Sequence, residues 1–200
     1  MKIVIDGNIG SGKSSTIARI QELTRLPVFL EPITEWTEYL DAFYKQPDKY
    51  ALPFNLKVLS SFERWKDNNF KAIYERSPES CKYIFHKSHY EDGLINSIEN
   101  NIFNELYDKL SWKPDKLIYI NTPPIVCYQR MQERSRSAEK NVPLQYLEKL
   151  DQKYKEYIRD IKHVYVIDGT ASVDEISNTI LSGPIGPLNN PILVYTDCAG

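Results

Sequence analysis

The chain has 200 residues, 42% of them hydrophobic, with a formal net charge of −2 and three widely separated cysteines. This length predicts one domain with a single buried core, and the charge balance excludes a chain-wide basic surface, so we expect no nucleic-acid partner. The cysteines form no zinc-site pattern, so we expect a reduced, cytoplasmic protein. Because no apolar run approaches the roughly 20 residues of a membrane span, we also expect no signal segment and no membrane partner.

Short apolar runs alternate along the chain with helical patterns. Five runs have the composition of buried parallel strands, namely Lys2 to Asp6, Val28 to Glu31, Phe70 to Glu75, Leu117 to Asn121 and Val164 to Asp168. The segments between and after them predict helices over Ser14 to Arg25, Asp48 to Asn69, Glu91 to Leu110, Pro124 to Arg134, Pro143 to Ile161 and Val173 to Leu181. This alternation predicts a three-layer α/β fold, with a five-stranded parallel sheet flanked by helices.

A stretch rich in Gly, Pro and Asn, Gly183 to Asn190, follows the last predicted helix. We therefore expect one domain over residues 1–182 and a C-terminal tail over residues 183–200. Because ligands of parallel sheets bind beyond the carboxyl ends of the strands, polar residues at those ends are candidates for chemistry. They are Asp6, Glu31, Glu75 and Asp168, and we expect Asp168 to contribute to nucleotide binding.

A glycine-rich segment follows the first predicted strand. It reads Gly7-Asn8-Ile9-Gly10-Ser11-Gly12-Lys13-Ser14 and satisfies the G-x-x-x-x-G-K-[ST] pattern of a P-loop. Glycines let successive N–H groups point inward around a phosphate, and the N-terminus of the following helix favours negative charge. We expect Lys13 to reach the β- and γ-phosphates, Ser14 to bind Mg²⁺ and Ser15 to complete the site. The pattern predicts a nucleoside triphosphate as donor but leaves the acceptor open.

Two further motifs lie outside the general P-loop pattern. The second predicted strand ends in Glu31-Pro32-Ile33-Thr34-Glu35-Trp36, and the third ends in Glu75-Arg76-Ser77, followed by Phe85. With the glycine-rich loop and the arginine-rich stretch from Arg130 to Glu139, they make the chain resemble the deoxynucleoside kinases, the family that includes thymidine kinase 2 and deoxycytidine kinase. The resemblance covers roughly residues 1–170. Its short length suggests a compact member such as large DNA viruses encode.

This resemblance implies a P-loop kinase fold with an arginine-rich lid that phosphorylates a deoxynucleoside 5′-hydroxyl. It also implies ATP as the donor, Mg²⁺ and a homodimer. A hydroxyl nucleophile needs a proton acceptor, and the resemblance gives that role to Glu31. It assigns Glu75 to the metal and Arg76 to the substrate oxygen, so that Glu31, Arg76 and Lys13 form the predicted catalytic set. The alternatives are a solvated carboxylate at Glu31 and a structural ion pair between Glu75 and Arg76.

The resemblance also places residues around the nucleoside. Trp36 and Phe85 stand where the family packs aromatic rings against the base, although core packing is the alternative for each. Tyr44 and Glu139 match the pair that binds the sugar 3′-hydroxyl. Asn55 falls where the family usually has a glutamine that pairs with the base, and its side chain is shorter by one methylene.

Three arginines lie in the predicted lid. Arg130 and Arg134 are four residues apart and share one helix face, whereas Arg136 converges with them only if the helix ends or turns before it. The resemblance assigns Arg134 and Arg136 to the phosphates and Arg130 to the region of the adenine. A solvated, charged helix end is the alternative.

Two uncharged residues bear on the choice of base. Cys81 stands where relatives that accept cytosine or purines often have an aspartate, and Phe62 stands where they have an arginine. Their lack of charge favours thymidine, with deoxycytidine as the second substrate. Two other functions stay open: a thymidylate kinase-type enzyme, whose acceptor is already a phosphate, and a non-enzymatic nucleotide switch.

Overall fold

A computed structural model describes residues 1–134, 142–161 and 164–186 of the chain. Its strands are β1 (Lys2–Gly7), β2 (Val28–Phe29), β3 (Ala72–Glu75), β4 (Lys116–Asn121) and β5 (Val164–Asp168). They form one parallel sheet in the order β2-β3-β1-β4-β5. The strand that precedes the glycine-rich loop is therefore central, which places the loop at the middle of the sheet's carboxyl edge.

Helices connect and cover these strands. They are α1 (Lys13–Thr24), α2 (Thr37–Lys45), α3 (Pro47–Glu63), α4 (Pro78–Ser80), α5 (Lys87–Glu91), α6 (Ser97–Leu110), α7 (Pro124–Arg134), α8 (Leu144–Arg159) and α9 (Val173–Ser182). A 3₁₀ turn (Ile33–Glu35) precedes α2, and a π-helical segment (Cys81–His86) joins α4 to α5. No helix in the described part of the chain is both long enough and apolar enough to span a membrane.

The sheet separates two apolar layers because side chains of a strand point alternately to its two faces. Ile3 and Ile5 of β1 pack in a layer formed with α1 and α9. Val4 packs in a larger layer formed with α3, α6 and α8. Burial of each such side chain contributes about 1.5–3 kcal/mol. The predicted three-layer α/β fold with a five-stranded parallel sheet is confirmed.

Two predicted helices differ from the structure by several residues, and three others differ by one or two residues at an end. The helix predicted over Asp48 to Asn69 spans Pro47 to Glu63. The helix predicted from Glu91 begins only at Ser97, because Gly93 adopts a φ of +74° that breaks the helix. Asn96 then caps α6, accepting hydrogen bonds from the next turn, while Glu99 bonds back to the Asn96 backbone.

The first residues of the predicted C-terminal tail pack against the domain. Ile185 is buried in the layer beside α1 and α9. The ammonium groups of Lys116 and Lys71 donate to the carbonyl oxygens of Pro184 and Ile185 at 2.7 and 3.1 Å. The remainder of the predicted tail, residues 187–200, lies outside the described residues.

Candidate active site

The glycine-rich loop leaves β1 and enters α1 with a backbone that requires glycine. Gly10 and Gly12 have φ of +78° and +101°, which L side chains rarely adopt. A Cβ at Gly10 would also lie 2.3 Å from the carbonyl oxygen of Cys127. The loop is fixed from outside by Asn8, whose amide donates to Leu147 at 2.8 Å. These contacts hold the loop in one conformation at the N-terminus of α1, where anions bind favourably.

Lys13 lies buried beneath the loop. Its ammonium donates to the carbonyl oxygens of Gly7 at 3.1 Å and Asn8 at 2.7 Å. Burial, followed by the positive charge of Arg76, lowers the pKa of Lys13 to about 8. A cation held in so desolvated a position is strongly stabilised by a negative phosphate.

Arg76 lies at the end of β3, joins two carboxylates and is itself buried. Its Nε lies 3.1 Å from the Glu31 carboxylate, and its Nη1 donates to Asp6 Oδ1 at 3.1 Å and to the Gly7 carbonyl at 3.2 Å. Arg76 has a φ of +65°, a strained conformation that such contacts can hold in place. The structure therefore brings together Glu31, Arg76 and Lys13, the three residues of the predicted catalytic set.

Glu31 lines the cavity with limited exposure. Its side chain is 12% exposed. Burial raises the pKa of Glu31, and the neighbouring Arg76 guanidinium opposes this effect. A carboxylate with a raised pKa is a stronger base than a solvated one, while the guanidinium favours its ionised form.

Tyr154 of α8 supports this cluster, and the sequence analysis did not identify it. Its hydroxyl donates to Asp6 Oδ1 at 2.8 Å and accepts a hydrogen bond from Arg76 Nη1. Asp6 was a strand-end candidate, but no local pattern marks a tyrosine 148 residues away as its partner. Together they orient the Arg76 guanidinium towards Glu31.

Ser14 and Glu75 form a second polar pair beside the loop. Ser14 Oγ donates to Glu75 Oε1 at 2.6 Å, and the Glu31 backbone N–H donates to Glu75 Oε2 at 3.3 Å. A hydroxyl and a carboxylate are oxygen donors of the kind that Mg²⁺ takes together with substrate phosphates and water. The two residues predicted to bind Mg²⁺ therefore fit that ion. The described residues contain no group of three or more His, Cys, Asp or Glu side chains that could hold a metal.

A cavity of about 490 Å³ extends from the loop to helices α2 and α3. Five of the residues predicted to contact the substrate line it, namely Trp36, Tyr44, Asn55, Cys81 and Phe85. The cavity wall also includes residues that the sequence analysis did not identify: Ile33, Leu40, Phe43, Phe54, Val58 and Tyr146. A mostly apolar wall with a few polar groups suits a planar base and a sugar.

The aromatic side chains of the wall support one another. The ring centroids of Phe43 and Phe54 are 5.4 Å apart, and Trp36 meets Phe54 edge-on at 5.7 Å. On another part of the wall, the Arg76 guanidinium lies 4.9 Å from the centroid of Phe85. Because all four rings are held by such contacts, the wall is preorganised for a flat ligand.

Phe62 and Asp168 do not line this cavity, so the structure adds no support for their predicted roles. Phe62 is 1% exposed and packs edge-on against Trp65 at 5.8 Å. It lies seven residues after Asn55, so it shares that helix face but stands about 10 Å further along the axis, beyond the cavity. Asp168 is exposed and accepts hydrogen bonds from the backbone and hydroxyl of Thr170 at 2.9 and 2.7 Å.

Four further predicted nucleotide-binding and substrate residues lie in or after α7. Arg130 and Arg134 line the cavity on the side of the loop. Arg130 Nη1 donates to the carbonyl oxygen of Gly169 at 3.0 Å. Arg136 and Glu139 fall within residues 135–141, outside the described residues.

The remaining predicted loop residues lie around the same cavity. Ile9, Gly10, Gly12, Lys13, Ser14 and Ser15 line the cavity directly. Gly7, Asn8 and Ser11 form the loop behind them, where Asn8 and Ser11 are buried and Thr122 donates to the Ser11 carbonyl at 3.0 Å.

Known proteins resemble this chain over most of its length. A family model described as deoxynucleoside kinase matches residues 3–181. A putative kinase protein of Invertebrate iridescent virus 3 is 34% identical over 183 residues, covering 90% of this chain and 93% of that protein. A probable deoxycytidine kinase of fowlpox virus is 34% identical over 171 residues, covering 80% and 72%.

One solved structure shows the same fold. It is a deoxyadenosine kinase from M. mycoides with dCMP and a flexible dCDP bound. The TM-score is 0.81 at 24% sequence identity, and the match covers 90% of this chain and 96% of that one.

Proposed function

Because this chain belongs to the deoxynucleoside kinase family, we propose that it transfers the terminal phosphate of ATP to the 5′-hydroxyl of a deoxynucleoside. One observation carries the proposal. The Glu31 carboxylate, held by Arg76, lines one cavity together with the glycine-rich loop and the apolar side chains of α2 and α3, so a base beside an acceptor and a loop for phosphates share one space.

Glu31 is the proposed general base. A hydroxyl in the cavity would give its proton to the Glu31 carboxylate as its oxygen attacks phosphorus. Arg76 orients that carboxylate and supplies positive charge beside the attacking oxygen. An acceptor that already carries a phosphate needs no such base, so this geometry favours a nucleoside over a nucleoside monophosphate.

The donor phosphates are proposed to occupy the loop. Loop N–H groups and the Lys13 ammonium would stabilise charge on the transferring phosphoryl group, together with Arg134, while Arg130 would lie towards the adenine. Ser14 and Glu75 would hold Mg²⁺, which neutralises charge on the phosphate oxygens when it is bound.

The base is proposed to be thymine, cytosine or both. Trp36 and Phe85 line the cavity and offer flat faces for a ring, and Cys81 presents a neutral thiol whose pKa is raised by burial. By the family resemblance, an uncharged residue at this position favours thymidine, with deoxycytidine as the second substrate. We also propose a homodimer from the family resemblance, which sedimentation velocity would test.

The test compares Glu31→Gln with Glu35→Gln, a matched control on the surface, where Glu35 pairs with Arg64. The assay supplies ATP-Mg²⁺ with thymidine, deoxycytidine, deoxyadenosine or deoxyguanosine. Glu31→Gln should lose at least about 100-fold in kcat while its affinity for ATP is unchanged. The control should retain wild-type kcat. Near-normal turnover by Glu31→Gln would refute the base assignment.

A further inference from the structure

We propose that His89 fixes the side-chain amide of Asn55 so that only its oxygen faces the substrate. This selects bases with an N–H donor at ring position 3, thymine and uracil, over cytosine. The inference rests on the proposed deoxynucleoside kinase function and adds a positioning residue to it. His89 is 1% exposed and lies behind the cavity wall, so it acts on the substrate site only through its neighbours.

The geometry of the Asn55 amide is the first step. Its Nδ2 lies 2.9 Å from the carbonyl oxygen of Ala51 and 2.9 Å from Nδ1 of His89. An amide nitrogen has two hydrogens, so these two contacts occupy both. The Ala51 carbonyl can only accept, and it therefore identifies this end of the amide as nitrogen, because a reversed amide would set two oxygens against each other.

The same contacts define the state of His89. Because Asn55 donates to it, Nδ1 acts as an acceptor, and the neutral ring carries its hydrogen on Nε2, which is buried and has no hydrogen-bond partner among the described residues. The ring also packs against Phe43, with centroids 4.6 Å apart, which restricts its rotation. Burial lowers the pKa of His89 to about 3, so the ring stays neutral near pH 7. A fixed neutral acceptor therefore holds the second Asn55 hydrogen.

The oxygen Oδ1 is the part of the Asn55 amide that remains for the ligand, and it can only accept a hydrogen bond. Asn55 lines the cavity, and among the described residues no group donates to its Oδ1. Thymine and uracil carry an N–H at position 3, which can donate to this oxygen, whereas the same position of cytosine is an acceptor. Two facing acceptors leave both atoms unpaired, which corresponds to about tenfold in kcat/KM. Cytosine keeps its 4-amino donor, so the preference is limited rather than absolute.

The experiment measures kcat/KM for thymidine, deoxyuridine and deoxycytidine with wild type, His89→Leu and His89→Gln. Deoxyuridine separates the N–H donor from the 5-methyl group. Wild type should use thymidine and deoxyuridine about tenfold better than deoxycytidine. In His89→Leu the second Asn55 Nδ2 hydrogen has no acceptor and the side chain loses a restraint on its position, so the contact of Oδ1 with the base weakens and the ratio should fall to about threefold or less. His89→Gln, whose side-chain oxygen can accept the Asn55 hydrogen, should restore it.

The outcomes separate this inference from the proposed function. A merely structural role for His89 predicts equal loss for all three nucleosides in His89→Leu, and that result would overturn the inference, as would a wild-type preference for deoxycytidine. If His89→Leu does not fold, 3-methylthymidine serves as the probe with wild type, and turnover equal to that of thymidine overturns the inference. If wild type phosphorylates none of the deoxynucleosides, the proposed function fails first.

Discussion

Replacing Lys13 by methionine should stabilise the protein while it abolishes phosphoryl transfer. Lys13 is 5% exposed, and its pKa falls from the ordinary 10.5 to about 8 in the folded chain. The charged form is therefore less favourable in the folded state than in the unfolded state. Methionine has a similar length and removes the charge.

The magnitude follows from the pKa. A fall from 10.5 to about 8 is about 2.5 pH units, and at 1.36 kcal/mol per unit it corresponds to about 3 kcal/mol. Methionine also loses hydrogen bonds to the Gly7 and Asn8 carbonyls, which removes about 1 kcal/mol. Both carbonyls keep another donor, from Arg76 and from the Ser11 backbone. The net stabilisation at pH 7 is about 2 kcal/mol, or about 4–8 °C in Tm for a domain of this size.

Urea unfolding of wild type and Lys13→Met at pH 7 and at pH 10.5 checks this reasoning. The pKa of Lys13 is lower in the folded chain than in the unfolded chain, so the unfolded chain binds the proton first as the pH falls. The destabilisation by Lys13 is therefore complete once the pH lies below its folded-state pKa of about 8. The advantage of the variant should therefore be largest at pH 7 and shrink by pH 10.5. A variant that is no more stable than wild type at pH 7 would refute the argument.

Two further substitutions test the loop and the arginine cluster. Gly10→Ala should cost more than about 2 kcal/mol of stability and abolish ATP binding, because the site has a positive φ and the new Cβ would clash with a backbone carbonyl. The control Gly93→Ala has a similar φ but open space around the new Cβ, so it should cost about 1 kcal/mol. Equal effects in urea unfolding would contradict the clash. Tyr154→Phe should lower kcat about tenfold by removing a hydrogen bond to Asp6. The control Tyr157→Phe, whose hydroxyl bonds outside the site, should leave kcat unchanged; equal kcat for the two variants would refute the positioning role.

The parts of the site that could be predicted from the sequence are those fixed by a local pattern or by a rule of topology. The glycine-rich loop has a spacing that is typical of a phosphate-binding turn between a strand and a helix. Glu31 and Arg76 follow different strands, yet the carboxyl ends of parallel strands share one edge, so their convergence was predictable.

The parts that were missed depend on tertiary packing. Helix α2 has nine residues, a length at which an isolated helix is unstable, and it forms because Phe43 stacks on Phe54 of α3. Tyr154 and Tyr146 reach the site from α8, far along the chain, without any motif around them. Phe62 was assigned to the pocket from the family resemblance alone, but its position along the helix axis places it beyond the cavity.

The fate of the γ-phosphate of ATP tests the proposed chemistry most directly. With γ-labelled ATP, Mg²⁺ and thymidine, we expect the label on the 5′-oxygen of thymidine, which phosphorus NMR can assign from coupling to the 5′ protons. Thymidine monophosphate supplied as the acceptor should take up little label. Labelling of the monophosphate alone, or release of inorganic phosphate at the same rate with and without a nucleoside, would contradict transfer to a deoxynucleoside hydroxyl.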